Sequence, residues 1–282
     1  MRLRSLLFVP GDRPERMEKA LGVGADALIL DLEDSVTAAK KTQARHSVTD
    51  FLRRTDGVVL RFVRINPLAG GLAEADLAAV LVARPDGLVL PKSEGAESVR
   101  DLDRRLAVLD MGFPPILPIA TETPQGVFGL GEYRTVGARL AGLTWGVEDL
   151  SAAIGAISAR EQDASFTEPY KVVRSLAQFG AAAANVAPVE TVFPDYRNSA
   201  GLAQYAKCGM RDGFVGMLAI HPEQVPIINE AFTPSAQSLE HARAVVALFE
   251  ANPGAGALSL DGSMVDAPHL KQALRLLKRA NG

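Results

Sequence analysis

The sequence predicts an α/β protein: a (β/α)8 TIM barrel followed by a C-terminal helical arm. Three observations carry this. Eight short apolar runs, each ending in polar residues, alternate with longer helical stretches. The runs are continuous rather than alternating, the pattern of parallel strands covered by helices. Eight such strand–helix units suit a closed barrel, typically about 250 residues long, better than an open doubly wound sheet.

The predicted strands are Ser5–Val9, Ala27–Leu32, Val58–Ile65, Gly87–Leu90, Ile116–Thr121, Leu140–Trp145, Val189–Phe193 and Gly213–Ile220. The first follows Met1-Arg2-Leu3-Arg4, which imitates a secretion signal, but its apolar run stops at Pro10-Gly11, too soon for a signal core. The seventh is the weakest, because Ala181–Ala187 also reads as the end of a helix. Pro14–Gly22, Ala73–Val82, Ala96–Leu109 and Glu168–Ala184 are predicted helices. No linker or internal repeat divides the chain. Residues 1–222 form the predicted catalytic barrel and 223–282 the arm. The arm holds helices near Glu223–Ala231 and Ser235–Glu250, a break at Pro253–Gly256, a hairpin Leu258–Val265 and a last amphipathic helix, Pro268–Lys278. Asp261-Gly262 suits the hairpin turn because the pair accepts positive φ.

Composition removes several classes of function. The 282 residues carry 30 Lys and Arg against 33 Asp and Glu, a net charge of −3, which argues against a nucleic-acid partner. No run of about 18 apolar residues offers a membrane span. The single cysteine, Cys208, cannot form an internal disulfide and fits a reducing cytoplasm. Gly22-Val23-Gly24 and Gly129-Leu130-Gly131 lack the strand–turn–helix setting of a dinucleotide site. His46, His221, His241 and His269 lack zinc spacing, and Cys208 has no base beside it. Trp145, inside an apolar strand, reads as core.

The strand ends carry the chemistry, since the active site of such a barrel lies at their C-terminal edge. They supply Asp31-Leu32-Glu33-Asp34, Arg64-Ile65-Asn66, Pro91-Lys92, Glu122-Thr123, Gly146-Val147-Glu148-Asp149, Asp195 and His221. One such acid alone is equally an ion-pair partner or a helix cap. The set points instead to a hard cation with an anionic substrate, because Mg²⁺ takes one or two carboxylates and completes its shell with water and substrate oxygens. Glu122 and Asp149, on neighbouring strand ends, are positioned to share one ion. His221, before Pro222, reads as readily as a helix cap.

Several stretches together resemble the citrate lyase β-subunit-like family, in the HpcH/HpaI aldolase superfamily with the malyl-CoA and citramalyl-CoA lyases. They are Ser5–Arg16, Asp31–Val36, Lys40–Arg45, Val63–Asn66, Leu90–Lys92, Thr121–Thr123, Gly146–Leu150, Gly213–Gly216 with Ile220–Pro222, and Asp261–Asp266. The resemblance spans nearly the whole chain. It implies a Mg²⁺-dependent barrel that makes or breaks a carbon–carbon bond beside a thioester, acting on malyl-CoA, β-methylmalyl-CoA or citramalyl-CoA to give an acyl-CoA plus glyoxylate or pyruvate. A citryl thioester lyase giving oxaloacetate is the alternative, and a catalytically idle relative that binds a 2-oxo acid or CoA is a third. By position, the resemblance implies Glu122 and Asp149 as metal ligands, Glu122 also contacting substrate, and Arg64 as the residue that holds the 2-oxo acid oxygen. It implies Asp266 as catalytic acid/base and Phe8, Lys19 and Lys40 as contacts to the CoA portion. It also implies homotrimers or hexamers whose arms cover a neighbour's site. From its own residues Asp266, two before Pro268, reads first as the N-cap of the last helix. The chain departs from relatives at Met217, where they often carry Lys.

Overall fold

The computed structural model describes residues 1–281 apart from 56, 58, 163 and 164. Eight parallel strands, β1 (Ser5–Pro10), β2 (Ala27–Asp31), β3 (Leu60–Arg64), β4 (Gly87–Leu90), β5 (Ile116–Pro118), β6 (Leu143–Thr144), β7 (Pro188–Glu190) and β8 (Gly216–Ala219), make one sheet. Its neighbours run β5-β4-β3-β2-β1-β8-β7-β6. Parallel bridges Ile116–Leu140 and Ile119–Thr144 draw the β5 and β6 edges together, so the sheet nearly closes into the predicted barrel. Between the strands lie α1 (Pro14–Ala20), α2 (Lys41–Arg54), α3 (Ala73–Val80), α4 (Ala96–Leu109), α5 (Pro124–Gly129), α6 (Glu148–Ala153), α7 (Glu168–Ala183) and α8 (Ser199–Asp212).

Side chains two apart on a strand share a face. Leu6, Ile29, Phe62, Val89, Leu117, Val189 and Leu218, from seven different strands, form one buried cluster that fills the barrel. Most strands are shorter than the apolar runs that predict them. The strand of Ile116–Thr121 stops at Pro118, with one further bridge at Ile119, and Val189–Phe193 stops at Glu190, yet Ala120 and Phe193 are buried as well. Apolar character reports burial, and here burial continues past the last ladder pair. Val58–Ile65 is observed from Leu60, and its first residue lies outside the described residues.

The chain divides into two compact units, residues 3–229 and the residues from Glu230 onward with Met1 and Arg2. Helix α9 (Gln224–Ala231) spans that division. The C-terminal unit holds α10 (Ala236–Ala251), strands β9 (Ala257–Leu260) and β10 (Ser263–Asp266), and α11 (Ala267–Asn281). Ala242, Val245, Val265 and Ala273 are its buried centre. The strands pair antiparallel, and both turn residues have positive φ (Asp261 49°, Gly262 79°), the two-residue turn that Asp-Gly favours. Among the described residues no helix is long and apolar enough to cross a membrane.

Candidate active site

Strand register builds the first part of the site. Leu6 and Ile29 point into the barrel, so Phe8 and Asp31, two residues further along each strand, point the same way at its C-terminal mouth. Phe62 does the same for Arg64, which stands opposite Asp31 in the β2–β3 register. The Arg64 guanidinium donates in a fork to both Asp31 oxygens, at 2.7 Å each. Its carbon sits 4.8 Å from the centre of the Phe8 ring, a cation–π contact. Asp31 also accepts the Glu33 and Ser35 N–H groups at 2.9 and 3.1 Å. Burial alone would raise the Asp31 pKa, but the Arg64 guanidinium and these donors hold it below the usual carboxylate value. Arg64 is held correspondingly in its charged form, against the pull of burial, by Asp31 and Glu33.

A second group of charges lies alongside. Arg64 Nη1 reaches Glu33 Oε2 at 2.9 Å, and the other Glu33 oxygen accepts from Lys92 Nζ at 2.8 Å. Lys92 Nζ is also 3.4 Å from Asp149 Oδ1, and the Lys92 N–H donates to Glu122 Oε2 at 2.6 Å. Glu122 lies between β5 and α5, whose first turn Thr123 caps by accepting the Gly126 N–H at 3.0 Å and whose Pro124 suits N1. The Glu122 residue is 6% exposed. Burial first, offset by the Lys92 N–H and reinforced by the negative charge of Glu33, pushes its pKa up to about 7. Burial raises Glu33 as well. Asp149, in the first turn of α6, is more open, its side chain 39% exposed.

Of the residues singled out from sequence, Arg64, Phe8, Glu122 and Asp149 thus lie in one connected network at the barrel mouth. Lys40 is close by sequence, but its ammonium sits 3.1 Å from Asp12, and Lys19 lies exposed on α1. Asp266 belongs to the C-terminal unit, where His269 Nδ1 is 2.5 Å from its Oδ1 and accepts its N–H at 3.2 Å. Met217 is fully buried in β8, opposite Ser5. Asp195 is exposed beyond β7, and the His221 ring stacks on Tyr196 with centroids 4.6 Å apart. The Gln224 side chain accepts the N–H groups of Ile220 and His221 at 2.9 and 3.2 Å, and His221 Nδ1 accepts the Glu223 N–H at 3.3 Å, in keeping with the capping reading of that histidine. Sequence reasoning noted Asp31, Glu33 and Lys92 as strand-end residues without giving them a part. The signal was the parity of Asp31 and Glu33 with the core position Ile29, which aims Asp31 at Arg64; Lys92, three residues after the core position Val89, carries no such signal.

The donor set suits a hard divalent cation. Among the described residues no group of three or more His, Cys, Asp or Glu converges as a closed metal cage. Two carboxylates joined through one lysine, Glu122 and Asp149, are what Mg²⁺ uses when water and substrate oxygens complete its octahedron. A buried carboxylate whose negative form burial disfavours also gains most from a cation at its oxygens.

Comparison with known proteins agrees. The chain is 33% identical to citramalyl-CoA lyase, mitochondrial, of Mus musculus, over 98% of its own length and 86% of the relative's. It is 35% identical to a citrate lyase subunit beta-like protein of Mycobacterium tuberculosis, over 97% and 94%. The crystal structure of the protein CitE from Mycobacterium tuberculosis in complex with magnesium, acetoacetate and coenzyme A superposes with a TM-score of 0.80 at 32% identity, covering 99% of this chain and 98% of that one. The family model for HpcH/HpaI aldolase/citrate lyase matches residues 4–222, most of the barrel described above, and the chain belongs to that family.

Proposed function

We propose that this protein is a Mg²⁺-dependent carbon–carbon lyase that cleaves a short 2-hydroxy-dicarboxylyl-CoA thioester, such as malyl-, methylmalyl- or citramalyl-CoA, into an acyl-CoA and glyoxylate or pyruvate. The observation that carries it is the joining of a permanently charged Arg64 to the Glu122 and Asp149 carboxylates at one end of the barrel. The solved relative bound to magnesium, acetoacetate and coenzyme A supports the same ligands here. Glu122 and Asp149 hold the ion, which when bound supplies Lewis-acid polarisation of substrate oxygens.

Arg64 has five N–H donors. Two go to Asp31 and one faces Glu33, which leaves donors for the oxygen of the 2-oxo acid. The Asp31 fork sets their direction, so fixed positive charge meets the oxyanion as the carbon–carbon bond breaks. Phe8 covers one face of the guanidinium and bounds the path of the thioester. Lys19 and Lys40, near β1, contact the CoA portion.

Asp266 moves the proton to and from the acyl carbon. Its carboxyl, beside His269 on the hairpin of the C-terminal unit, is delivered to the barrel of a neighbouring subunit in a homotrimer or hexamer. An exposed apolar stripe supports that assembly. Val172, Leu176 and Phe179 recur at helical spacing on α7, and Phe128 and Ile157 are also almost fully exposed. Cys208 is a free thiol, which suits a reducing compartment such as the cytoplasm.

The test is a panel of glyoxylate, pyruvate and oxaloacetate against acetyl-CoA and propionyl-CoA, with and without Mg²⁺. Turnover by the isolated chain, abolished by a chelator, is expected; turnover indifferent to the chelator overturns the reading. The second reading, a citryl thioester lyase subunit, draws on the likeness to the citrate lyase subunit beta-like protein. It predicts copurification with an acyl-carrier subunit and release of oxaloacetate.

A further inference from the structure

Lys92 holds a position that the proposed reaction does not use. Its φ is +49°, a left-handed conformation that a residue with a long side chain adopts only under strain. The bend turns the Lys92 N–H onto Glu122 at 2.6 Å while the side chain carries Nζ to Glu33 at 2.8 Å and Asp149 at 3.4 Å. Glycine would make the same turn and offer the same N–H without strain. What lysine alone adds is the ammonium, and that ammonium stands against one of the two proposed ion ligands. Arg64 is meanwhile committed to Asp31 and Glu33. Asp149 has Lys92 as its cation partner.

We propose that Lys92 is the resident counter-cation of the ion site. Its ammonium bridges Asp149 to Glu33 while no divalent ion is bound, gives up Asp149 when the ion arrives, and stays tethered to Glu33. The lysine and the ion then compete for one carboxylate and repel each other at close range. The lysine weakens ion binding, and in return the ion-free barrel does not hold a cluster of unbalanced carboxylates at its mouth. This rests on the assignment of Glu122 and Asp149 as ion ligands.

The test measures binding of Mn²⁺ alone, a hard divalent probe that accepts the same oxygen donors. Free Mn²⁺ is followed by its paramagnetic resonance signal with no substrate present. Lys92→Gln is expected to bind Mn²⁺ about tenfold more tightly than the unaltered protein, since one neighbouring positive charge is gone. Lys92→Arg, which keeps the charge, stays within about twofold. A folded Lys92→Gln with unchanged or weaker affinity, beside an Asp149→Ala that loses affinity, overturns the proposal alone. An Asp149→Ala that keeps full affinity overturns the ion-site assignment and the proposal with it. Should Lys92→Gln fail to fold, acetylation of Lys92 in the unaltered protein decides, followed by peptide mass. The amine must react faster with saturating Mg²⁺ than without, and equal rates overturn the proposal.

Discussion

As a proposed ion ligand, Glu122 cannot hold a proton and the ion together, and the structure sets the size of the effect. Burial pushes this carboxyl up to about 7 in the ion-free protein. With that value, about nine in ten Glu122 groups are ionised at pH 8 and about one in ten at pH 6. An ion that needs the carboxylate must displace the proton, so Mg²⁺ affinity should fall about tenfold from pH 8 to pH 6. Titration calorimetry in buffers of different ionisation enthalpy should find about one proton released per ion at pH 6 and about a tenth of one at pH 8. Stability carries the same signature with its own sign. The folded pKa lies above the unfolded value of 4.5, so between these two values the folded protein binds more protons and loses stability as pH rises. The raised pKa bounds that loss at about 3 kcal/mol, complete above about pH 7. Glu122→Gln should remove this part of the pH slope and most of the ion binding together. Mg²⁺ affinity that stays level from pH 6 to pH 8, with no proton release, would refute the reasoning.

Three further outcomes follow from the geometry. In Gly146→Ala the new methyl carbon would sit 2.8 Å from Glu122 Cγ, so the carboxyl must move; ion affinity should drop about tenfold, equivalent to about 1.4 kcal/mol, with little change in circular dichroism. Arg64→Lys keeps the charge but loses the two-pronged grip on Asp31, and turnover should fall at least about tenfold; unchanged kinetics would mean that Arg64 only balances its acids. Asp266→Asn should abolish turnover while Mg²⁺ and 2-oxo acid binding stay nearly normal, and mixing it with inactive Glu122→Ala subunits should restore part of the activity. Proven subunit exchange, checked by the mass of the mixed oligomer, with no recovered turnover would rule out a shared site.

Much of this was legible before any coordinates. Continuous apolar runs ending in polar residues mark parallel strands, and the Asp261-Gly262 pair marks its turn, because both signals are local: a side chain's polarity and a residue's tolerance of positive φ. The strand-end rule likewise brought Arg64, Glu122 and Asp149 into view. Strand lengths were less legible, since Phe193 is buried beyond the end of β7, apolar without pairing in the sheet.

The sequence by itself therefore determined the barrel, its order of strands and the kinds of side chain at its mouth. Only the tertiary structure decided which charges meet. Nothing local ties Lys92 to Glu33, 59 residues away, or to a left-handed backbone that turns its N–H onto Glu122. Nor does the sequence show that Glu122 is buried enough to hold its proton near neutral pH. Pairings across strands depend on register and closure, and desolvation depends on everything packed around a group, so both arise only when the whole sheet has curled on itself.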